Sequence, residues 1–323
     1  MSVKFVHPLK GNPNHRLLID KLSLTIKPKQ WKVYANYKDT LYGYSQTDGF
    51  PIIYDPSGKT GSYSAAYRIK LGTLSHEDWP LLQVATPKRN ASFIRLEFNP
   101  DRIGITGINE FKAIIDQWLL PHGYPSVLKW SRITRIDLAV DFTKVSLDQV
   151  FPVTKWPTYR ETWTHKGELE SIYLGKRSQT NNFYRIYEKP TGHGQTKKVL
   201  RVEREMRNLK IAFGELESLP NPFSTLRLNH LDMPPPKGWD ATKWRLFVRV
   251  LKISGLNSAL FMLPAAERKE AKLHASKFPV HRMNLGDVWS EWPELLKKTG
   301  LLKPGPEGPL LPIFNEKKIE DQA

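Results

Sequence analysis

The stretch NNFYRIYEKP, residues 181–190, sets Tyr184 and Tyr187 three apart among Arg185, Glu188 and Lys189. A tyrosine can attack a phosphodiester when its surroundings lower the cost of losing the phenolic proton, and it then keeps the phosphate as an ester. On a strand, side chains alternate. Phe183, Arg185 and Tyr187 would share one face, and Tyr184, Ile186 and Glu188 the other. At most one of the two phenols then faces a given site. Arg185, on the face of Tyr187, is a cation suited to a phosphate or a phenolate. Lys189 is a second candidate for that role. The plain alternative is an aromatic cross-strand pair that only packs.

Acidic residues show a related pattern. In RITRIDLAVDF (132–142), Arg135, Asp137, Ala139 and Asp141 share one face, with Ile136, Leu138, Val140 and Phe142 opposite. Carboxylates on a strand face need water, a cation or a metal. At about 3.3 Å per residue, the two Asp Cα atoms lie ~13 Å apart, too far to share one ion on a straight strand. Asp137 is the better ligand candidate, which leaves Asp141 to an arginine or further out. In RVEREMR (201–207), Arg201, Glu203 and Glu205 share a face, and FIRLEF (93–98) puts Glu97 on the face of Arg95. A hard divalent cation, Mg²⁺ or Mn²⁺, takes a few carboxylates with waters and phosphate oxygens. Asp137, Asp141, Glu203 and Glu97 are the candidate ligands, against the alternative of salt-bridged, solvated strands.

Three segments together, TRIDLAVDF, YLGKRSQTNNFYRIYEK and RVEREMR, resemble the Rep_trans family of rolling-circle replication initiators of small plasmids, with relatives in filamentous phages. The resemblance covers about 75 residues. It implies site-specific nicking of one DNA strand at an origin, a tyrosine joined to the 5′ phosphate, a free 3′ hydroxyl for a polymerase, and later rejoining. It implies Tyr187 as nucleophile and Asp137, Asp141 and Glu203 as leading acidic positions. The chain departs from other rolling-circle enzymes in having no His-hydrophobe-His motif, so carboxylates must serve any metal. His122 and His165 are isolated, and there is no cysteine for a thiolate zinc site.

Elements must position these residues. KLSLTI, WKVYANY, SYSAAYRIKLG and SFIRLEF read as strands, as do RITRIDLAVDF, ESIYLGK, NFYRIYEK and VLRVEREMR. INEFKAIIDQWLLPHG (108–123) changes period: Phe111, Ile114, Ile115 and Trp118 form one stripe of a helix that stops at Pro121. DPSGKTG (55–61) lacks the full P-loop spacing and reads as a hairpin turn. The expected class is α+β, a largely antiparallel sheet with flanking helices and a smaller helical C-terminal region. Residues 1–215 are expected as a nicking–joining domain and 216–240, with DMPPPKGWD, as a proline-rich linker. Residues 241–300 are expected as a basic helical DNA-binding region that chooses the origin, and 301–323 as a loose tail. In that region Trp244, Phe247, Val248 and Leu251 make an apolar stripe, with Lys243, Arg245, Arg249 and Lys252 elsewhere on the wheel. Pro264 suits a first helical position, and LGDVWSEWPELLKKTG reads as a last helix.

The net charge of +17 over 323 residues favours polyanionic partners. Lys176, Arg177 and Ser178, just ahead of the tyrosine strand, are candidates to hold the scissile phosphate, or form an ordinary solvated loop. GHGQTKK (192–198) is a basic loop suited to the phosphate backbone. No long apolar segment suggests a signal peptide or a membrane span, so cytoplasmic work on DNA, without a membrane, is expected. Origin DNA, duplex and single-stranded, is the expected partner. A host helicase must unwind ahead, because no nucleotide-binding motif is visible, and a second copy of the chain is a further candidate. The rival readings are a DNA-binding repressor without enzymatic activity, and a relaxase or transposase using the same tyrosine chemistry.

Overall fold

A computed structural model describes residues 14–305 except 28–30, 60, 62, 73, 86–92, 120–122, 155–159, 167, 177–182 and 192–196. In chain order the elements begin with β1 (His15–Ile26), α1 (Trp31–Ser45), β2 (Ile52–Tyr54), β3 (Tyr63–Ile69), β4 (Leu81–Ala85) and β5 (Ile94–Phe98). Then come α2 (Pro100–Ile114), α3 (Gly123–Trp130), β6 (Ser131–Phe142), β7 (Val150–Thr154), β8 (Arg160–His165) and β9 (Glu168–Leu174). They continue with β10 (Phe183–Thr191), β11 (Lys197–Ala212) and β12 (Leu226–His230). Helices follow: α4 (Ala241–Ser254), α5 (Leu256–Phe261), α6 (Ala265–Ala275), α7 (Leu285–Trp289) and α8 (Trp292–Thr299). The class is α+β, as expected. A large sheet runs in the order β2-β3-β4-β5-β1-β6-β11-β10-β9-β8, and β12 pairs with β7 apart from it. Each pairing with a described register is antiparallel.

By contact the chain forms two compact units, and the division does not follow the linear one expected. One unit takes the chain up to Leu18, Asp137–Arg207 and Leu219–Pro293. The other takes Ile19–Ile136, Asn208–Ser218 and the chain from Glu294. Residues 216–240, expected as a linker, include β12 in register with β7.

In the unit that begins at Ile19, β4 and β5 pair in register, and β5 pairs with β1. Leu22, Leu24, Ile94, Leu96 and Phe98 are buried, as alternation requires. WKVYANY, expected as a strand, lies in α1 instead. Val33, Tyr37, Leu41 and Tyr44 are spaced four, four and three apart, a helical period that outweighs the β preference of the aromatics. The helix expected over 108–123 starts earlier, at Pro100. Asn99 caps it by accepting from the Arg102 amide at 3.0 Å. The helix continues as a π turn over Ile115–Leu119, and Phe111, Ile114 and Ile115 are buried as expected. The turn at 55–61 is built on Asp55, which accepts from Ser57 N and Gly58 N and pairs with Arg68 at 2.8 Å.

In the other unit, α4 carries its expected apolar stripe. Trp244, Phe247 and Leu251 are buried in a cluster with Phe151, Leu231, Met233, Leu263 and Ala271. Asp240 caps α4, accepting from the Lys243 amide at 2.7 Å. Pro264 stands one residue before α6, as its cap. The single last helix expected is two, α7 and α8, with Ser290 and Glu291 between them. Among the described residues no helix is long and apolar enough to cross a membrane.

Candidate active site on the tyrosine strand

β10 lies between β9 and β11 with the register Tyr187↔Arg201 and Arg185↔Glu203 on one side, and Tyr187↔Ser171 and Arg185↔Tyr173 on the other. Residues directly opposite on antiparallel strands share a face, so this register decides which side chains meet. Ile186, Ile172 and Val202 are fully buried on one face, and Tyr184 is 2% exposed there. On the other face Phe183, Arg185 and Tyr187 are each half-buried.

The two phenols therefore have different surroundings. The Tyr184 hydroxyl donates to Pro222 O at 2.9 Å, lies 2.9 Å from Thr225 Oγ1 and accepts from Arg204. The Arg204 guanidinium stacks on the Tyr184 ring at 4.6 Å. This ring is pinned inside the unit. The Tyr187 hydroxyl donates to Glu203 Oε2 at 3.2 Å. Arg185 lies over the Tyr187 ring at 4.2 Å and pairs with the same Glu203 oxygen at 3.1 Å. Burial, and then the Glu203 charge, raise the Tyr187 pKa, while Arg185 and Arg201 act against that rise. The Arg185 pKa is raised by Glu203 and Tyr187 against the opposing effect of burial. The phenol thus sits between a carboxylate that can accept its proton and cations that can steady its anion.

Arg201 forks onto Asp141, with Nε to Oδ1 at 2.6 Å and Nη2 to Oδ2 at 2.8 Å. Both residues are buried. A fork of this kind fixes both side chains, and removing one partner from such a buried pair costs about 3–5 kcal/mol. Asp137, two positions before Ala139 on the same strand, is 2% exposed. Lys189 is half-buried and falls by alternation on the face of Tyr187, with Arg185. Glu97 lies on β5 in the other unit, bound to Lys21 at 3.2 Å, Ser23 at 2.7 Å and Arg95. Arg95, Lys21 and Ser23 hold its carboxyl below the usual range, although burial acts the other way. Among the described residues, no three histidine or acidic side chains are grouped to hold a metal ion on their own. The donor set near Tyr187 is all oxygen. Mg²⁺ commonly takes one or two carboxylates and completes its shell with waters and substrate phosphates, so a chain without a three-acid cluster still suits it.

Of the expected DNA contacts, Lys176 is exposed two residues past the end of β9, while Arg177, Ser178 and residues 192–196 lie outside the described residues, as does His122. His165 is exposed at the end of β8. Arg245 and Arg249 are exposed on α4. Lys243 pairs with Glu267 and stands 5.2 Å from the Trp239 ring. The Lys252 carbonyl accepts from Arg160 at 2.8 Å. Three features were not singled out from sequence: the Arg201–Asp141 fork, the Arg204–Tyr184 anchor and Trp163, which is 54% exposed on β8. Alternation places each on a face, but only the strand register pairs them.

No protein-family profile matches the chain. No curated protein matches it. Among solved structures, it is similar to one titled as a rolling circle replication initiator protein from Geobacillus stearothermophilus. That match has a TM-score of 0.39 and 16% identity, and covers 74% of this chain and 97% of the other.

Proposed function

We propose that this chain is a DNA nicking–joining enzyme of the replication-initiator kind, with Tyr187 as nucleophile. The observation that carries the reading is the Tyr187 hydroxyl on Glu203 with Arg185 over its ring. The motif resemblance supplies the reaction class. Glu203 takes the phenolic proton as the Tyr187 oxygen forms a bond to the scissile phosphorus. The bond from phosphorus to the 3′ oxygen breaks, and that oxygen leaves as a hydroxyl, taking a proton from water, to which Glu203 later gives up the phenolic proton. The 5′ phosphate stays on Tyr187. Arg185 offsets the negative charge as it passes from phenolate to phosphate. The reverse sequence rejoins the strand. Asp137 and Glu203 are the side chains that would hold a Mg²⁺ or Mn²⁺ ion. Such an ion would polarise the phosphate. The substrate in this reading is origin DNA of a plasmid or phage, and Arg245 and Arg249 on α4 are proposed to contact the duplex.

The test uses the full chain with a supercoiled plasmid carrying its own gene, and with single-stranded DNA, in Mg²⁺ and in EDTA. The expected products are an open circle and a DNA-linked peptide containing Tyr187. Tyr187→Phe should lower both by at least about a thousand-fold, the scale seen when a nucleophile is removed, while melting and DNA binding stay near wild type. An adduct on Tyr184 or Tyr173, or a mobility shift without nicking, would reject the reading. Undiminished nicking in EDTA would reject the metal.

A further inference from the structure

The face of the sheet that carries Tyr187 continues outward over β9 and β8. Trp163 lies opposite Ser171, and Ser171 opposite Tyr187, so all three stand in one cross-strand row. At about 4.8 Å per strand, Trp163 is ~10 Å from Tyr187 across that row. In the next row Glu161 lies opposite Tyr173, and Tyr173 opposite Arg185. Phe183 stacks on Tyr173 with ring centroids 5.8 Å apart and planes 17° from parallel. Trp163 is 54% exposed, and Tyr173 and Phe183 are half-buried.

These rings are not needed to close the core. The opposite face of the same strands already does so, with Ile172, Ile186 and Tyr184 buried. A Trp, a Tyr–Phe stack and an Arg-covered Tyr on the more open face are an arrangement that water does not favour and that a base does. Successive bases of a single strand stack on aromatic rings whatever their sequence, while cations track the backbone. Arg185 sits within this row of rings, and the chain's charge of +17 favours a polyanion over an apolar protein partner.

We infer that Trp163, Tyr173 and Phe183 form a stacking platform for the bases of single-stranded DNA next to the phosphate that Tyr187 attacks. The inference rests on the nicking–joining reading for the position of that phosphate, not for the binding itself. Phe183 is four residues from Tyr187 along β10, ~13 Å in extended chain, so the platform reaches nucleotides flanking the nick and positions them without touching the reacting atoms.

The test is fluorescence anisotropy with a labelled single-stranded oligonucleotide and its duplex, across a salt series, on the full chain. Trp163→Ala and Phe183→Leu should each weaken single-strand binding about ten-fold or more. Trp163→Phe should restore most of the loss. Duplex affinity and the salt slope should not move, because no phosphate contact is removed. A halogenated-uracil oligonucleotide should photo-crosslink to Trp163, Tyr173 or Phe183. Wild-type single-strand binding in both variants overturns the platform, and so does an equal loss on duplex. An RNA strand binding more tightly than the same DNA sequence overturns the DNA assignment. If no adduct forms at Tyr187 while the stacking losses appear, the nicking reading falls and the platform stands. If the adduct forms and the variants bind normally, the reverse holds.

Discussion

Tyr184 and Tyr187 differ in what their hydroxyls touch, and one substitution at Tyr184 separates structure from chemistry. Tyr184→Phe strips an oxygen that bonds Pro222 and Thr225 and accepts from buried Arg204. Stability should fall by about 1–2 kcal/mol, the cost of leaving buried polar groups short of a partner. Covalent capture of DNA should persist in the remaining folded protein. Urea melts beside adduct yields check this. A variant as stable as wild type would mean that the anchor contributes nothing. Much of this was legible in sequence, because a strand period of two puts the phenols on opposite faces. The identity of each partner was not. Arg201 and Asp141 are 60 positions apart, and no local pattern announces that they fork together. The acids that alternation set beside arginines do bind arginines, Glu97 the one on its own strand and Asp141 and Glu203 ones on neighbouring strands. Asp141 is bound to Arg201, Glu203 to Arg185 and Glu97 to Arg95.

Strands with clean alternation were readable as elements, and so was the α4 stripe. The misreading was α1, where Trp, Tyr and Val suggested β structure and the three-and-four spacing prevailed. A second contact at this scale is invisible locally: Lys112 of α2 donates to Gly300 O, just past α8, at 2.5 Å. Lys112 is 1% exposed. Burial lowers its pKa to about 8 from 10.5, helped by Lys303 and opposed by Asp116. The sign follows from proton binding. Below about pH 8 both folded and unfolded chains hold the proton, and the cost of burying the charge is fully present. From about 8 to about 10.5 the unfolded chain holds it and the folded chain does not, so stability rises with pH in that window. The rise should be on the order of 3 kcal/mol. Lys112→Met should remove it. Denaturant melts of both proteins across that range measure the difference, and parallel pH profiles would contradict it.

At the scale of the whole molecule, neither unit is one continuous run of chain. The tyrosine strand belongs with Leu219–Pro293, and α4 covers Phe151 and Met233 in the same cluster. β8 is tied to α4 by Arg160 on the Lys252 carbonyl. Gly255, at φ +85°, has no room for a Cβ, which would meet Arg160 Cδ at 2.7 Å. A linear reading placed a boundary at the proline-rich stretch because proline marks linkers on average. Here the chain around it is pinned instead, with Trp244 donating to Met233 O at 2.9 Å. A chain ending at residue 240 should therefore lose the cooperative melt of this unit and its DNA-linking activity together. Calorimetry and adduct yield on the truncated protein check this, and a sharp transition with full labelling would contradict it. The same interleaving bears on synthesis. Tyr187 leaves the ribosome about a hundred residues before the last segment of its unit does. During that interval the strand exists without the helices that complete its core. A chain broken off early in translation should therefore carry the nucleophile in its sequence yet be unable to cut, so DNA meets the activity only after Leu219–Pro293 has been made.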